Sequence, residues 1–263
     1  MRKDSIILEE KRLQEVIDLS DYQQVHERHR IFPAVFEDRK HQMVMDISAG
    51  VGLVASRIKK DYPCDLYVNE TSEKCLNILT KNKLKTFNFD LDNKEASYPF
   101  ADRTFDAIIS LATIEHLMNT DHYLSEIRRI LKDDGCFYVS APNYSGLTYL
   151  IPFLITGKTF HDPMNSVDKY EFFAHIRYFT YRTMLEYFSE YGYKAEAVYL
   201  GKPEGSTKFS RLKDRSKFKA FMFQFLMTTL YKIFNPRWAA EPVICFRKVG
   251  IGDYTLKPKK VVL

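Results

Sequence analysis

The strongest constraint on this chain is a rhythm running from residue 42 to residue 141, where short apolar runs alternate with stretches of helical period. The runs Gln42 to Ile47, Asp65 to Asn69, Leu84 to Phe89, Phe105 to Leu111 and Cys136 to Ala141 read as strands. Helices are expected between them, after Gly52 to Lys60, from Ser72 to Lys81 and from Asp121 to Leu131, with Asp133-Asp134-Gly135 as a turn. Strand and helix in such close alternation predict an α/β fold, a largely parallel sheet with helices on both faces. Sheets of this kind take ligands at the carboxyl ends of their strands, so the chemistry is expected in the turns.

The turn after the first strand is Asp46-Ile47-Ser48-Ala49-Gly50-Val51-Gly52. Small residues there let the backbone approach a ligand, and the helix that follows offers free N–H groups. A dinucleotide fingerprint needs three glycines, and its positions hold Ser48, Gly50 and Leu53, so two of the three fail. A looser pattern of an acid followed by alternating glycines fits Asp46, Ser48, Gly50 and Gly52, with only the first glycine replaced. Taken alone, the segment also fits an ordinary tight strand–helix turn.

The other strand ends add to it. Glu70 follows the second strand and Asp90 ends the third. Tyr98-Pro99-Phe100-Ala101-Asp102-Arg103-Thr104-Phe105-Asp106, then Ile114-Glu115-His116-Leu117, then Glu126-Ile127-Arg128-Arg129-Ile130-Leu131-Lys132 come next in order. Together these resemble the class I S-adenosylmethionine-dependent methyltransferases, in particular their small-molecule group, over about residues 40–143. A weaker likeness to the same group runs from His175 to Thr180.

The resemblance implies a Rossmann-like sheet of seven strands, the last antiparallel, with S-adenosyl-L-methionine as cofactor and S-adenosyl-L-homocysteine as product. It implies that Asp46 and Gly50, in the loop with Ser48 and Gly52, line the methionine end of the cofactor. Glu70 would accept from the ribose hydroxyls, which suits a carboxylate with two acceptor oxygens. Asp90 would accept from the adenine amino group with the Leu91 backbone nearby, and Leu111 would lie beneath the cofactor. Each acid has a plainer reading: Glu70 as the start of a helix, Asp90 as a turn residue. Asp106 reads as a structural anchor.

The expected reaction is methyl transfer to a small molecule, on oxygen rather than nitrogen: a sugar or phosphorylated metabolite of a bacterial biosynthetic pathway. A hydroxyl acceptor profits from a general base, and His116, His161 and His175 are the candidates, with Tyr144, Tyr170 and Tyr178 as positioning groups. No metal is expected. Related ubiquinone O-methyltransferases carry E-x-x-E-H, but Ala112 stands at the first acid, leaving only Glu115 and His116. The residues after the fourth strand, Ser110-Leu111-Ala112-Thr113, lack the N/D-P-P-Y of base-amino methyltransferases, so no nucleic-acid partner is expected. A nicotinamide oxidoreductase, a silent cofactor-binding module and an RNA methyltransferase remain as rival readings.

The flanks divide the chain into four expected parts: an N-terminal helical segment over 1–40, the core over 41–143, an aromatic substrate lid with a late helix and strand over 144–200, and a C-terminal part over 201–263. Thr180 can cap a helix that stops at Gly192, and strands are expected at Tyr193 to Leu200 and Glu241 to Lys248. Residues 208–219 are basic and 218–234 apolar, which reads as a packed helix, a homodimer contact or a peripheral membrane contact. The net charge of +5 is too small for a nucleic-acid signature. Four cysteines without a C-x-x-C pair and a charged start without an apolar leader lead to the cytoplasm as the expected compartment.

Overall fold

Phe105–Leu111 is a seven-residue strand, β4, with Phe105, Ala107, Ile108, Ile109 and Ser110 all buried. A strand this apolar is stable only when covered on both sides, and it sits at the centre of the sheet. The computed structural model of the protein describes residues 3–158, 161–164 and 169–263. In chain order it contains α1 (Lys3–Arg12), α2 (Glu27–Arg30), β1 (Met43–Asp46), α3 (Leu53–Asp61), β2 (Asp65–Asn69), α4 (Glu73–Lys81), β3 (Lys85–Phe87), then β4. There follow α5 (Thr120–Ile130), β5 (Leu131–Ser140), α6 (Leu147–Thr156), α7 (Lys169–Ala174), α8 (Tyr181–Ser189) and β6 (Tyr193–Leu200). The chain ends with α9 (Thr207–Arg215), α10 (Lys217–Ile233), β7 (Val243–Lys248) and β8 (Lys259–Val262).

The strands form one sheet in the order β3-β2-β1-β4-β5-β7-β6-β8. Neighbours from β3 to β5 are parallel, and β7 runs antiparallel to both β5 and β6. The antiparallel β7 is as expected, but the strand count is eight rather than seven. Lys259–Val262 adds to the edge of β6 in parallel, with Ala197 opposite Lys259 and Leu200 opposite Val262. The turn expected at Asp133–Gly135 lies inside β5 as an irregularity: Phe105 pairs Leu131, and the next pair, Ala107 with Cys136, skips the intervening residues.

Two apolar layers cover the sheet. One holds Met45, Ile47, Ile108, Phe137, Phe188 and Phe246, and the other Val44, Val68, Ile109, Tyr138, Tyr199 and Cys245. The alternation of β1, β4 and β7 residues between them follows from the period of two along a strand. Side-chain caps start the helices where the sequence offers a hydroxyl. Ser72 accepts from the N–H of Cys75, Thr180 from Thr183 and Ser216 from Lys219. Asp106 accepts from the N–H groups of Gln42 and Met43 and pairs with Lys132, so it anchors the sheet as expected. Arg129 bonds Glu126, Asp102 and the carbonyls of Tyr98 and Phe100, so these motif residues hold the 98–102 loop against α5.

Strand order reverses between β1 and β4. Asp46 lies in register with Val68 on one side and Ile109 on the other, which puts the ends of β1, β2 and β4 at one level. A cleft at such a reversal is the fold's natural ligand position.

Candidate active site

A cleft lies at these strand ends, lined by Ile47, Ser48, Asn69, Glu70, Thr71, Asp90, Leu91, Thr113 and Leu117. Four of the residues singled out from the sequence, Ser48, Glu70, Asp90 and Leu91, are in this wall. Asp46, the last residue of β1, is buried just behind it. Gly50 has φ +55, with nothing within 4 Å of the position a Cβ would occupy, so its backbone forms an open cradle. Gly52, at φ +89, serves packing instead: a Cβ there would come within 2.7 Å of Leu79.

Glu70 is the hub of the loop. Its Oε2 accepts from the N–H of Gly50 at 2.9 Å, and its Oε1 from Thr71 at 2.7 Å and Ser72 at 3.1 Å. Burial raises the Glu70 carboxyl above the usual range in spite of these donors, and burial together with the Glu70 charge pushes Asp46 to about 7. Asp90 accepts from the N–H of Asp92 at 3.0 Å, so its turn role is present alongside its place in the wall.

Leu111 is the exception among the expected cofactor residues. It shares a side of β4 with Ala107 and Ile109 and packs on the layer opposite the cleft. The left-handed Ala112 (φ 52) follows it, and Thr113 and Leu117 take the cleft positions instead. Asn69 was not anticipated as a functional residue. Its amide bonds the carbonyls of Ile47 and Phe89 and accepts from the N–H of Phe89, riveting three strand ends together.

The three histidines converge beside Glu115. Ring centroids lie 4.7 Å apart for His116 and His175, and 4.9 Å apart for His161 and His175. The Nδ1 of His116 is 3.1 Å from the carbonyl of Ala174, which can only accept, so Nδ1 carries the proton and Nε2 is left as an acceptor. Burial lowers the affinity of His116 for a second proton. Glu171 is 3.2 Å from Nδ1 of His161, whose Nε2 is 2.8 Å from the hydroxyl of Tyr144, which is in turn 2.9 Å from Nδ1 of His175. A neutral His161 that donates to an ionised Glu171 would accept the Tyr144 proton at Nε2, and the Tyr144 oxygen would then accept from Nδ1 of His175, leaving its Nε2 an acceptor. Burial, and then the neighbouring His116 and His161, push His175 down to about 3.

Glu115 entered the sequence reading only as part of a motif. It is wholly buried, both carboxylate oxygens lack a hydrogen-bond partner among the described residues, and burial pushes it up to about 8. Its carbonyl accepts from Ile176 and Arg177, which ties the histidine segment to the end of β4. Arg28 was not foreseen at all: α2 carries its buried guanidinium to an ion pair with Glu241. The sequence reading counted two metal donors here. The fold brings a third, since Glu115, His116 and His175 each offer one ligand atom and these lie within 4.8 Å of one another.

The sheet order, the reversal point and the cleft define a Rossmann-like α/β protein that binds a nucleotide-like ligand at its strand ends. The model of a family described as methyltransferase domain matches residues 14–198, and the chain belongs to that family. Its cofactor is S-adenosylmethionine, and the open cradle at Gly50 with the Glu70 carboxylate beside it fits that molecule.

An uncharacterized protein of Methanocaldococcus jannaschii is 32% identical over 133 residues, 51% of this chain and 55% of that protein. The chain thus spans about half the length of this curated relative. Among solved structures, a putative methyltransferase in complex with the Haloferax volcanii Trm112 activator has TM-score 0.58 at 13% identity, covering 95% of this chain and 99% of that one. A methyltransferase from Archaeoglobus fulgidus has TM-score 0.52 at 17% identity, covering 92% and 99%. At such identities the likeness speaks for the fold.

Proposed function

We propose that the protein transfers a methyl group from S-adenosylmethionine to a hydroxyl oxygen of a small-molecule acceptor. When bound, the cofactor supplies a methyl group already activated on a sulfonium. In this reading Glu70 accepts from a ribose hydroxyl at the one acceptor position the backbone leaves open, Asp90 accepts from the adenine amino group, and Asp46 with Ser48 and Gly50 faces the methionine end. The chain's remaining task is to align an acceptor and take its proton.

The observation that carries the oxygen acceptor is the fixed tautomer of His116. Its Nδ1 proton is committed to Ala174, which leaves Nε2 a lone pair, and Leu117, the next residue, lines the cleft. In this reading Nε2 of His116 would take the proton of the acceptor hydroxyl as that oxygen gains the methyl group, and the cofactor would leave as S-adenosylhomocysteine. His175, held through Tyr144, His161 and Glu171, orients the acceptor, and the carboxyl of Glu115, unpartnered among the described residues, lies beside His116 and His175.

A screen with methyl-labelled cofactor across sugar nucleotides, quinols and small phosphorylated metabolites tests the reading. Label on a hydroxyl of one class, lost in His116→Ala while cofactor affinity is kept, is the expected result. Label found only on nitrogen, or equal turnover in the variant, overturns it.

A further inference from the structure

An α-helix that is apolar all round belongs in a core or in lipid. The first half of α10 is in neither position. Phe218, Phe221, Met222, Phe223, Phe225 and Leu226 are all exposed, Phe218 at 73%, and only Ala220 of the helix is buried. Helix α6 repeats the situation: none of its ten residues is buried, and Ile151, Leu154 and Ile155 are exposed, Ile155 at 78%. The loops next to the two helices are tied together: Asn143 and Ser145, just ahead of α6, bond the carbonyl of Arg237, four residues past the end of α10.

The charges lie next to this surface. Between Thr207 and Lys219 there are six basic residues, Lys208, Arg211, Lys213, Arg215, Lys217 and Lys219, and one acid, Asp214. That surplus equals the net charge of +5 of the whole chain. All six are exposed, and none is in an ion pair among the described residues.

The α9–α10 hairpin is also firmly rooted. Oε1 of Glu27 accepts from the N–H groups of Glu204, Gly205 and Ser206 at 2.8, 3.0 and 2.8 Å, and Thr207 donates to the carbonyl of Val25 at 2.8 Å. These contacts fix the start of α9, and Lys260 donates to the carbonyls of Lys232 and Phe234 at the far end of α10. No helix among the described residues is long and apolar enough to cross a membrane.

We propose that α6 and the α9–α10 hairpin form a docking surface for an anionic phospholipid bilayer. The aromatic and aliphatic side chains enter the interface, and the basic residues meet the headgroups. The charge complementarity selects a membrane over a second copy of the chain, which would bring the same positive surplus against itself.

Flotation of the full chain with vesicles of phosphatidylcholine, with and without phosphatidylglycerol, tests this. The protein should float with the anionic vesicles only, and less so as salt rises. Lys213→Ser with Lys217→Ser should weaken partitioning about thirtyfold, the effect of two basic residues at an anionic surface. Phe221→Ser with Phe225→Ser should abolish it. Unchanged affinity for S-adenosylhomocysteine checks that each variant is folded. Failure of the wild type to float, or unchanged partitioning in either variant, overturns the proposal. So does a wild-type dimer that the phenylalanine pair converts to monomer without any vesicle binding.

Discussion

The N–H of Gly50 donates to the carboxylate of Glu70 at 2.9 Å, so the loop after β1 and the end of β2 hold each other in place. With Thr71 and Ser72 also donating, three of the roughly four acceptor positions of the carboxylate are engaged by backbone. The group that would meet the ribose is therefore oriented before any ligand arrives.

Glu70→Ala should weaken cofactor binding by about 1–3 kcal/mol, through the lost ribose contact and the freed Gly50 loop. Glu70→Gln should retain part of the loop and lose less. Calorimetric titration with S-adenosylhomocysteine measures both, and unchanged affinity in folded Glu70→Ala contradicts the assignment.

His116→Ala should lower kcat by roughly 10²–10⁴-fold with cofactor affinity unchanged, the range for a lost general base. The variant should also lose the acidic limb of the kcat profile. A rate reduced only through KM would instead give His116 a binding role.

Cofactor binding should release a proton near neutrality. Asp46 sits at about 7 through burial and the Glu70 charge, and a cation in the cleft favours its ionised form. Below that pH the carboxyl must ionise on binding, so affinity for S-adenosylmethionine should rise between about pH 6 and pH 8 and then level off. Titrations in buffers of different ionisation heat count the proton, and Asp46→Asn should remove the dependence.

Glu115 makes an opposite demand on stability. Its carboxyl is raised from 4.5 to about 8 by burial, so the folded chain keeps a proton that the unfolded chain has released. Its contribution to stability therefore falls as pH rises from about 4.5 to about 8, and above that a buried charge remains. Thermal melts should find Glu115→Gln equal to the wild type near pH 4 and several degrees more stable above pH 8. A wild-type advantage at high pH contradicts this.

The donor trio Glu115, His116 and His175 gives a metal test of the base assignment. Zinc favours imidazole nitrogen, so it should occupy Nε2 of His116 and inhibit methyl transfer, while a chelator leaves the untreated protein fully active. Activity lost to the chelator and restored by a divalent ion would make the trio a working metal centre instead.

Legibility in the sequence followed locality. Strands β2, β4 and β6 fall on their expected limits residue for residue, because each is a bounded apolar run. The short β8 was missed: Lys-Lys-Val-Val has no period to read, and pairing with β6 makes it a strand. The loop from Asp46 to Gly52 and the acids after β2 and β3 were legible because the motif and its geometry are contiguous. Leu111 was misplaced because a motif position does not reveal which side of β4 it faces. The meeting of Tyr144, His161, Glu171 and His175 is set by a segment without period, and Arg28 arrives from α2, far away in sequence.

The most direct measurement is calorimetry on the intact, folded chain with S-adenosylmethionine and, separately, S-adenosylhomocysteine. Saturable heat at one site per chain for both, weakened in Glu70→Ala, is the predicted result. Absence of heat with either molecule across about pH 6 to 8 would contradict the cleft as a cofactor site and the proposed reaction with it.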